Sequence, residues 1–159
     1  MKQGKKTDCR DLDQEGLIRF VESLDQPAFR GRQIMSWLYR PGITDFEQMT
    51  DLAKSFRALL SKKAFISRFT DPILERSSDG CVKFGFMLDD GHLIESVLIP
   101  EEDRNTLCIS SQVGCAMGCS FCKTGTMGFI RNLTPSEIVN QVCAVRDFLE
   151  KEPPERLIG

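Results

Sequence analysis

The stretch NTLCISSQVGCAMGCSFCKTGTMG, residues 105–128, holds Cys115, Cys119 and Cys122 in a C-x3-C-x2-C run directly after an apolar segment of strand character, residues 105–111. A closed structural metal site uses four protein ligands, and this run supplies one too few. The fourth ligand is therefore elsewhere in the chain or is not protein. Zinc ribbons and knuckles usually show two separated cysteine pairs, so zinc stays a minor alternative on spacing; below it fall a ferredoxin run, which is spaced differently, and a redox pair at Cys119 and Cys122, which would not need Cys115. Three thiolates on a cubane iron–sulfur cluster leave one iron open, and an open iron can bind the amino and carboxylate groups of S-adenosylmethionine and reduce its sulfonium.

Outward from this run, the downstream side is helical. Thr134 and Glu137 form a capping box, Pro135 takes the first helical position, and PSEIVNQVCAVRDFLEKE, residues 135–152, follows as the helix. Upstream, CVKFGFML (81–88) and HLIESVLI (92–99) alternate with period two around Asp90-Gly91, which predicts a hairpin. Strand, cysteine segment and helix in that order predict the first unit of a parallel α/β sheet with its site at the strand's C-terminal end.

From residue 11 to about residue 66 the apolar spacing is helical instead: Leu17, Val21 and Leu24, then Ile34, Trp37 and Leu38, then Leu52, Phe56, Leu59 and Leu60. Pro27 starts one segment, Pro41-Gly42 ends it, and Thr50 stands as N-cap before DLAKSFRALLSKKAF. The expectation is an α/β chain with a helical domain over residues 1–70 and a second domain over residues 71–159.

With 159 residues, 41% hydrophobic and 28% charged, the composition is that of an ordinary globular protein, neither disordered nor fibrous. Lys2, Lys5 and Lys6 are not followed by an apolar export signal or a membrane-spanning stretch, which gives a cytoplasmic location and reduced thiols as the expectation. Seven cysteines, an odd number, argue against a disulfide scaffold. The net charge of −2 carries no global sign of a polyanionic partner, yet residues 52–70 hold Lys54, Arg57, Lys62, Lys63 and Arg68 without one acid. That stripe reads either as a solvated helix face or as a phosphate-binding surface.

The pattern Cys-x3-Cys-x-aromatic-Cys, with Phe121 as the aromatic, is the signature of the radical S-adenosylmethionine superfamily. FRGRQIMSWLY (29–39), ITDFEQMTDLAKSFRALL (43–60) and the run from SSDGCVKFGFML through TPSEIVNQV (77–142) together resemble the bacterial members that methylate C2 of an adenosine in 23S ribosomal RNA and in certain tRNAs. The resemblance implies a helical accessory domain that helps bind RNA, followed by a hairpin and the start of a partial (β/α) barrel. It implies a 4Fe–4S cluster on Cys115, Cys119 and Cys122, S-adenosylmethionine as cofactor, a flavodoxin-type electron donor and a monomer, with 23S rRNA and tRNA as partners. It assigns Glu95 as the proton acceptor and Cys108 as the cysteine that resolves a thioether between enzyme and RNA.

In that family a methyl group is first loaded onto a cysteine near the C-terminus. A 5'-deoxyadenosyl radical from a second S-adenosylmethionine takes a hydrogen from it, and the carbon radical adds to adenine. A disulfide bond is among the attributes the family carries. The chain departs from the family in length: it reaches Gly159 in PERLIG where the second barrel strand and a GEP-type cofactor-binding segment are expected, so it reads as an incomplete piece, inactive alone. Methylation at C8 of the adenosine, or a non-catalytic iron–sulfur or zinc-binding RNA-interaction piece, are the alternatives.

By themselves the two catalytic candidates carry other readings. Glu95 interrupts Leu93, Ile94, Ser96, Val97, Leu98 and Ile99, where burial would raise its pKa and suit it as a base, but it also reads as an edge-strand glutamate facing water. Cys108, among apolar neighbours, reads as a buried inert thiol. Trp37 and Tyr39 beside Arg30, Arg32 and Arg40 form a mix found where proteins stack on RNA, and Trp37 equally fits a core position. His92 reads as an exposed turn residue, and Cys9, Cys81 and Cys143 have no partner at ligand spacing.

Overall fold

The computed structural model describes residues 6–117 and 128–151, and the chain divides into two compact units, Met1–Arg68 and Phe69–Gly159. In the first unit, helices α1 (Gln14–Glu22), α2 (Phe29–Leu38) and α3 (Lys54–Lys63) enclose a core in which Leu17, Val21, Ile34, Leu38, Phe56 and Leu60 are buried. Helix α1 starts where the Asp13 carboxylate accepts the Gly16 N–H at 2.6 Å, filling one of the donors a helix start leaves open. Helix α3 starts differently from expectation. Ala53 stands at its cap position with no side-chain bond, and Thr50 precedes it in a turn closed by the Leu52 N–H on the Met49 carbonyl.

Two features of this unit have no local sequence signal. Strands β1 (Thr7–Asp8) and β2 (Ala64–Phe65) pair in parallel, tying the beginning of the unit to its end. Arg10 is buried beside them. Its Nη1 donates to the Ser67 carbonyl at 2.8 Å and its Nη2 to the Leu38 carbonyl at 2.9 Å, so the buried charge is taken up by carbonyl dipoles.

The second unit is built on an antiparallel sheet in the order β3 (Ile73–Arg76), β4 (Val82–Met87), β5 (Leu93–Pro100) and β6 (Asn105–Cys108). The expected hairpin is β4–β5, turning at Asp90-Gly91 with the Leu88 N–H on the His92 carbonyl at 2.8 Å. Residue alternation sends Val82, Phe84, Phe86, Ile94 and Leu98 to one face, where they pack with Val145 of helix α4 (Pro135–Lys151). Phe84 meets Phe148 of that helix edge-to-face, with ring centroids 5.0 Å apart. The capping box is present: the Thr134 N–H donates to Glu137 Oε2 at 2.8 Å and the Glu137 N–H to Thr134 Oγ1 at 3.3 Å.

The expected parallel sheet is absent from the described part of this unit, where every strand pair is antiparallel. The strand expected over 105–111 ends at Cys108. A short ribbon, β7 (Gln112–Gly114) with β8 (Phe129–Asn132), then intervenes before the helix. Strand β3 likewise appears only through its pairing with β4.

Candidate active site

Since α4 covers the Ile94–Ser96–Leu98 face of β5, the opposite set, Leu93, Glu95, Val97 and Ile99, lies on the open face of the sheet. Val97 pairs with Lys83 on one side and with Cys108 on the other, and Glu75 pairs with Lys83. Glu95 and Cys108 therefore share the open face as diagonal neighbours on adjacent strands, a spacing within reach of a bound group. Glu95 occupies a central strand, not an edge, and is half-exposed, so the burial suggested by its apolar neighbours does not occur. Cys108 is exposed on β6, where a buried inert thiol was the alternative.

Lys83 completes this row. Its Nζ lies 2.7 Å from Glu75 Oε2 and 3.3 Å from Glu95 Oε1. The bond to Glu75, then that to Glu95, raises its pKa, which keeps the ammonium charged and gives the Glu95 carboxylate a fixed cationic partner. Sequence reading does not single out Lys83. The local sign is that it is the one charge in CVKFGFML, directly opposite Glu75 on β3 and diagonal to Glu95 on β5.

Beyond Cys108 the chain passes Ser110, whose hydroxyl donates to the Glu95 carbonyl at 2.7 Å, and runs through β7 to Cys115. The Cys115 N–H donates to the Gly128 carbonyl at 3.0 Å, so the two ends of the cysteine segment meet at the head of the ribbon. This closure depends on Gly114, which has φ 73° and carries no Cβ; a Cβ built there would lie 1.8 Å from the Gly128 oxygen. The Cys115 sulfur is partly accessible and accepts the Met117 N–H at 3.4 Å.

Arg131, on β8, braces the ribbon. It holds Glu137 through two bonds of 2.8 Å and Asp90, at the hairpin turn, through one of 2.7 Å. The guanidinium pulls the Asp90 carboxyl down to about 2 and lowers that of Glu137 as well. His92 Nδ1 lies 3.0 Å from Asp90 Oδ1 at the same turn, and the residue is half-buried where an exposed turn residue was expected.

Of the three expected cluster ligands, Cys115 is described and Cys119 and Cys122 lie outside the described residues. Among the described residues no group of three His, Cys, Asp or Glu side chains is placed to hold a metal. Cys9, Cys81, Cys108, Cys115 and Cys143 are free thiols, so the disulfide bond carried over with the family resemblance is not supported. Burial, followed by the Asp8 charge, pushes the Cys9 thiol up to about 12.

In the helical unit the basic stripe is thinner than the sequence suggests. Lys54, Lys62, Lys63 and Arg68 are exposed, but Arg57 is buried, donating to the Glu47 carbonyl and pairing with its carboxylate at 3.7 Å. Trp37 is half-buried against the core, its Nε1 donating to Asp51 Oδ1 at 2.7 Å and its ring covered by the Arg40 guanidinium at 4.0 Å. No described helix is long and apolar enough to cross a membrane.

Residues 7–66 match the ribosomal RNA large subunit methyltransferase N-terminal domain. A curated relative from Desulfotalea psychrophila, the dual-specificity RNA methyltransferase RlmN, is 72% identical over 155 residues, covering 98% of this chain and 43% of the relative. Over the length it shares with such relatives, this chain is similar to the RlmN proteins. The protein of the same name from Geobacter sulfurreducens is 57% identical across 87% of this chain and 39% of its own. The crystal structure of a radical SAM methyltransferase from Sphaerobacter thermophilus superposes with TM-score 0.78 at 40% identity, covering 91% of this chain and 43% of that one. The chain thus spans about two fifths of the length of the RlmN proteins it matches.

Proposed function

We propose that this chain supplies the RNA-facing helical domain and the first part of the catalytic domain of a radical S-adenosylmethionine methyltransferase acting on an adenosine, at C2, of 23S rRNA and tRNA. The observation that carries the reading is the open sheet face on which a free thiol, Cys108, and a carboxylate, Glu95, stand as diagonal neighbours, in a chain 72% identical to an RlmN protein. A nucleobase over this face would have a proton acceptor and a nucleophilic sulfur side by side. The exposed Lys54, Lys62, Lys63 and Arg68 supply phosphate-binding charge for residues 1–70.

Cys115, Cys119 and Cys122 would hold the iron–sulfur cluster. Cys115 fits as a ligand: its sulfur is partly accessible, receives an N–H, and sits on a backbone closed by Gly114 and Gly128. The chemistry supplied there when the cluster and S-adenosylmethionine are bound is one-electron reduction, the electron coming from a flavodoxin-type donor. Lys83 aims the Glu95 carboxylate and Glu95 takes a proton from the substrate carbon; the Cys108 sulfur would attack that of the methyl-carrying cysteine, forming an S–S bond as the carbon–sulfur bond to the RNA breaks and the freed carbon takes up a proton. The complete reaction calls for a methyl-carrying cysteine and the remainder of a partial barrel, and residues 1–159 alone do not catalyse it. The enzyme acts as a monomer in the cytoplasm.

A chimera tests this: residues 1–155 of this chain joined to the rest of the Desulfotalea psychrophila relative, reconstituted anaerobically with iron and sulfide and given rRNA and tRNA fragments. Mass spectrometry of the digested RNA is expected to find C2-methyladenosine. Glu95→Gln should slow its formation on the order of 100-fold, and Cys108→Ala should leave RNA covalently attached on a denaturing gel. A cluster-loaded chimera that makes no methyladenosine refutes the proposal, and C8-methyladenosine would reassign the position.

A further inference from the structure

The carboxamide of Gln141, on α4, is fully buried, which is rare for glutamine and costly unless every polar atom is satisfied. Here the inventory closes. Oε1 accepts the Ser96 hydroxyl and the Ser110 N–H, each at 2.8 Å, while Nε2 donates to the Ser110 carbonyl at 2.9 Å and to the Glu137 carbonyl at 3.1 Å. Both backbone groups of Ser110 are thus taken by one side chain, as a neighbouring strand would take them.

Ser110 has no strand to do this. Strand β6 ends at Cys108 and β7 begins at Gln112, so the link between them is held by Gln141, by the Ser110 hydroxyl on the Glu95 carbonyl at 2.7 Å, and by the Leu133 N–H on the Ser111 carbonyl at 2.9 Å. One turn earlier on α4, Glu137 grips Arg131 of β8. The first two turns of one helix therefore hold β8, on the far side of the cysteine segment, and the link that leads into β7 on the near side. An apolar residue of similar length would fill the same volume without desolvating an amide, so packing does not account for a glutamine here.

We infer that Gln141 is a positioning residue: by clamping Ser110 it sets the placement of Cys115 relative to the sheet face that carries Cys108 and Glu95. The importance of that placement rests on the function proposed above; the clamp itself is tested separately.

The test uses the 159-residue chain with Gln141→Met, which keeps length and removes all four hydrogen bonds, and Ser96→Ala, which removes only the donor that orients the amide. Hydrogen exchange at the Ser110 amide is expected to quicken by at least about 10-fold in Gln141→Met, with the amides of β4 and β5 unchanged. The ratio of Cys115 to Cys108 alkylation by iodoacetamide should shift by at least about threefold, since the two thiols move relative to their surroundings. Uniformly faster exchange through β4, β5 and α4 with an unchanged ratio would mean a purely structural role and overturn the inference. If Gln141→Met lacks a cooperative melt, Ser96→Ala decides: faster Ser110 exchange of about threefold or more supports the clamp, and no change overturns it. Iron uptake by the unsubstituted chain is measured alongside. Failure to bind iron counts against the cluster reading and leaves the exchange and alkylation results to judge Gln141.

Discussion

Replacing Gly114 with alanine, and Gly128 with alanine in parallel, separates two physical costs at the head of the cysteine segment. Both glycines have left-handed backbones, with φ 73° and φ 70°, so each substitution carries the Cβ strain of that region, about 1 kcal/mol. Only Gly114 adds a collision. Its new Cβ would stand 1.8 Å from the Gly128 oxygen, whereas a Cβ at Gly128 meets none of the described residues within 4 Å. The Gly128 carbonyl must retreat by more than about 1 Å to reach an ordinary contact, which breaks the 3.0 Å bond it accepts from the Cys115 N–H. That bond contributes about 1 kcal/mol, so Gly114→Ala should cost about 2–3 kcal/mol and Gly128→Ala about 1 kcal/mol. For a unit of this size each kcal/mol moves the midpoint of melting by roughly 4–8 °C. Circular-dichroism melts give the totals, and hydrogen exchange at the Cys115 amide locates the damage: it should lose protection in Gly114→Ala and keep it in Gly128→Ala. Equal losses in the two variants, or a protected Cys115 amide in Gly114→Ala, would refute the closure described here.

Arg131→Met should remove an acid-sensitive part of the second unit's stability. Asp90, at about 2, and Glu137 both titrate below their unfolded values near 4, so their contribution is fully present above that range and disappears as pH falls toward 2. Urea midpoints of the unsubstituted and variant chains should therefore differ most at neutral pH and converge below about pH 4; a gap independent of pH would count against the brace. Cys9, pushed up to about 12 by burial, should resist iodoacetamide at pH 8 in the folded chain while Cys108 is labelled, as peptide mass spectrometry can check. Equal labelling of the two would show that the first unit opens readily.

The sequence by itself determined what short-range chemistry controls. The helical spacing of Leu17, Val21, Ile34, Leu38, Phe56 and Leu60, the alternation on either side of Asp90-Gly91, and the Thr134–Glu137 box before Pro135 each act within one or two turns of chain, and each is in the structure. The three-cysteine run marks a candidate cluster site in the sequence, and Cys119 and Cys122 fall outside the described residues. Tertiary structure decided the rest, because it depends on partners far apart in the chain. Whether Glu95 and Cys108 face solvent or core follows from which side of the sheet α4 covers, and a period-two pattern is silent on that choice. Thr50 does not cap α3, and Asp51 beside it instead takes the Trp37 indole N–H. Arg57 leaves the basic stripe because the Glu47 carbonyl lies within reach of its guanidinium. Arg131 meets Asp90 across 41 positions and Gln141 meets Ser110 across 31, so no local pattern could show that one helix face holds both sides of the cysteine segment; folding must first bring those atoms within hydrogen-bond range.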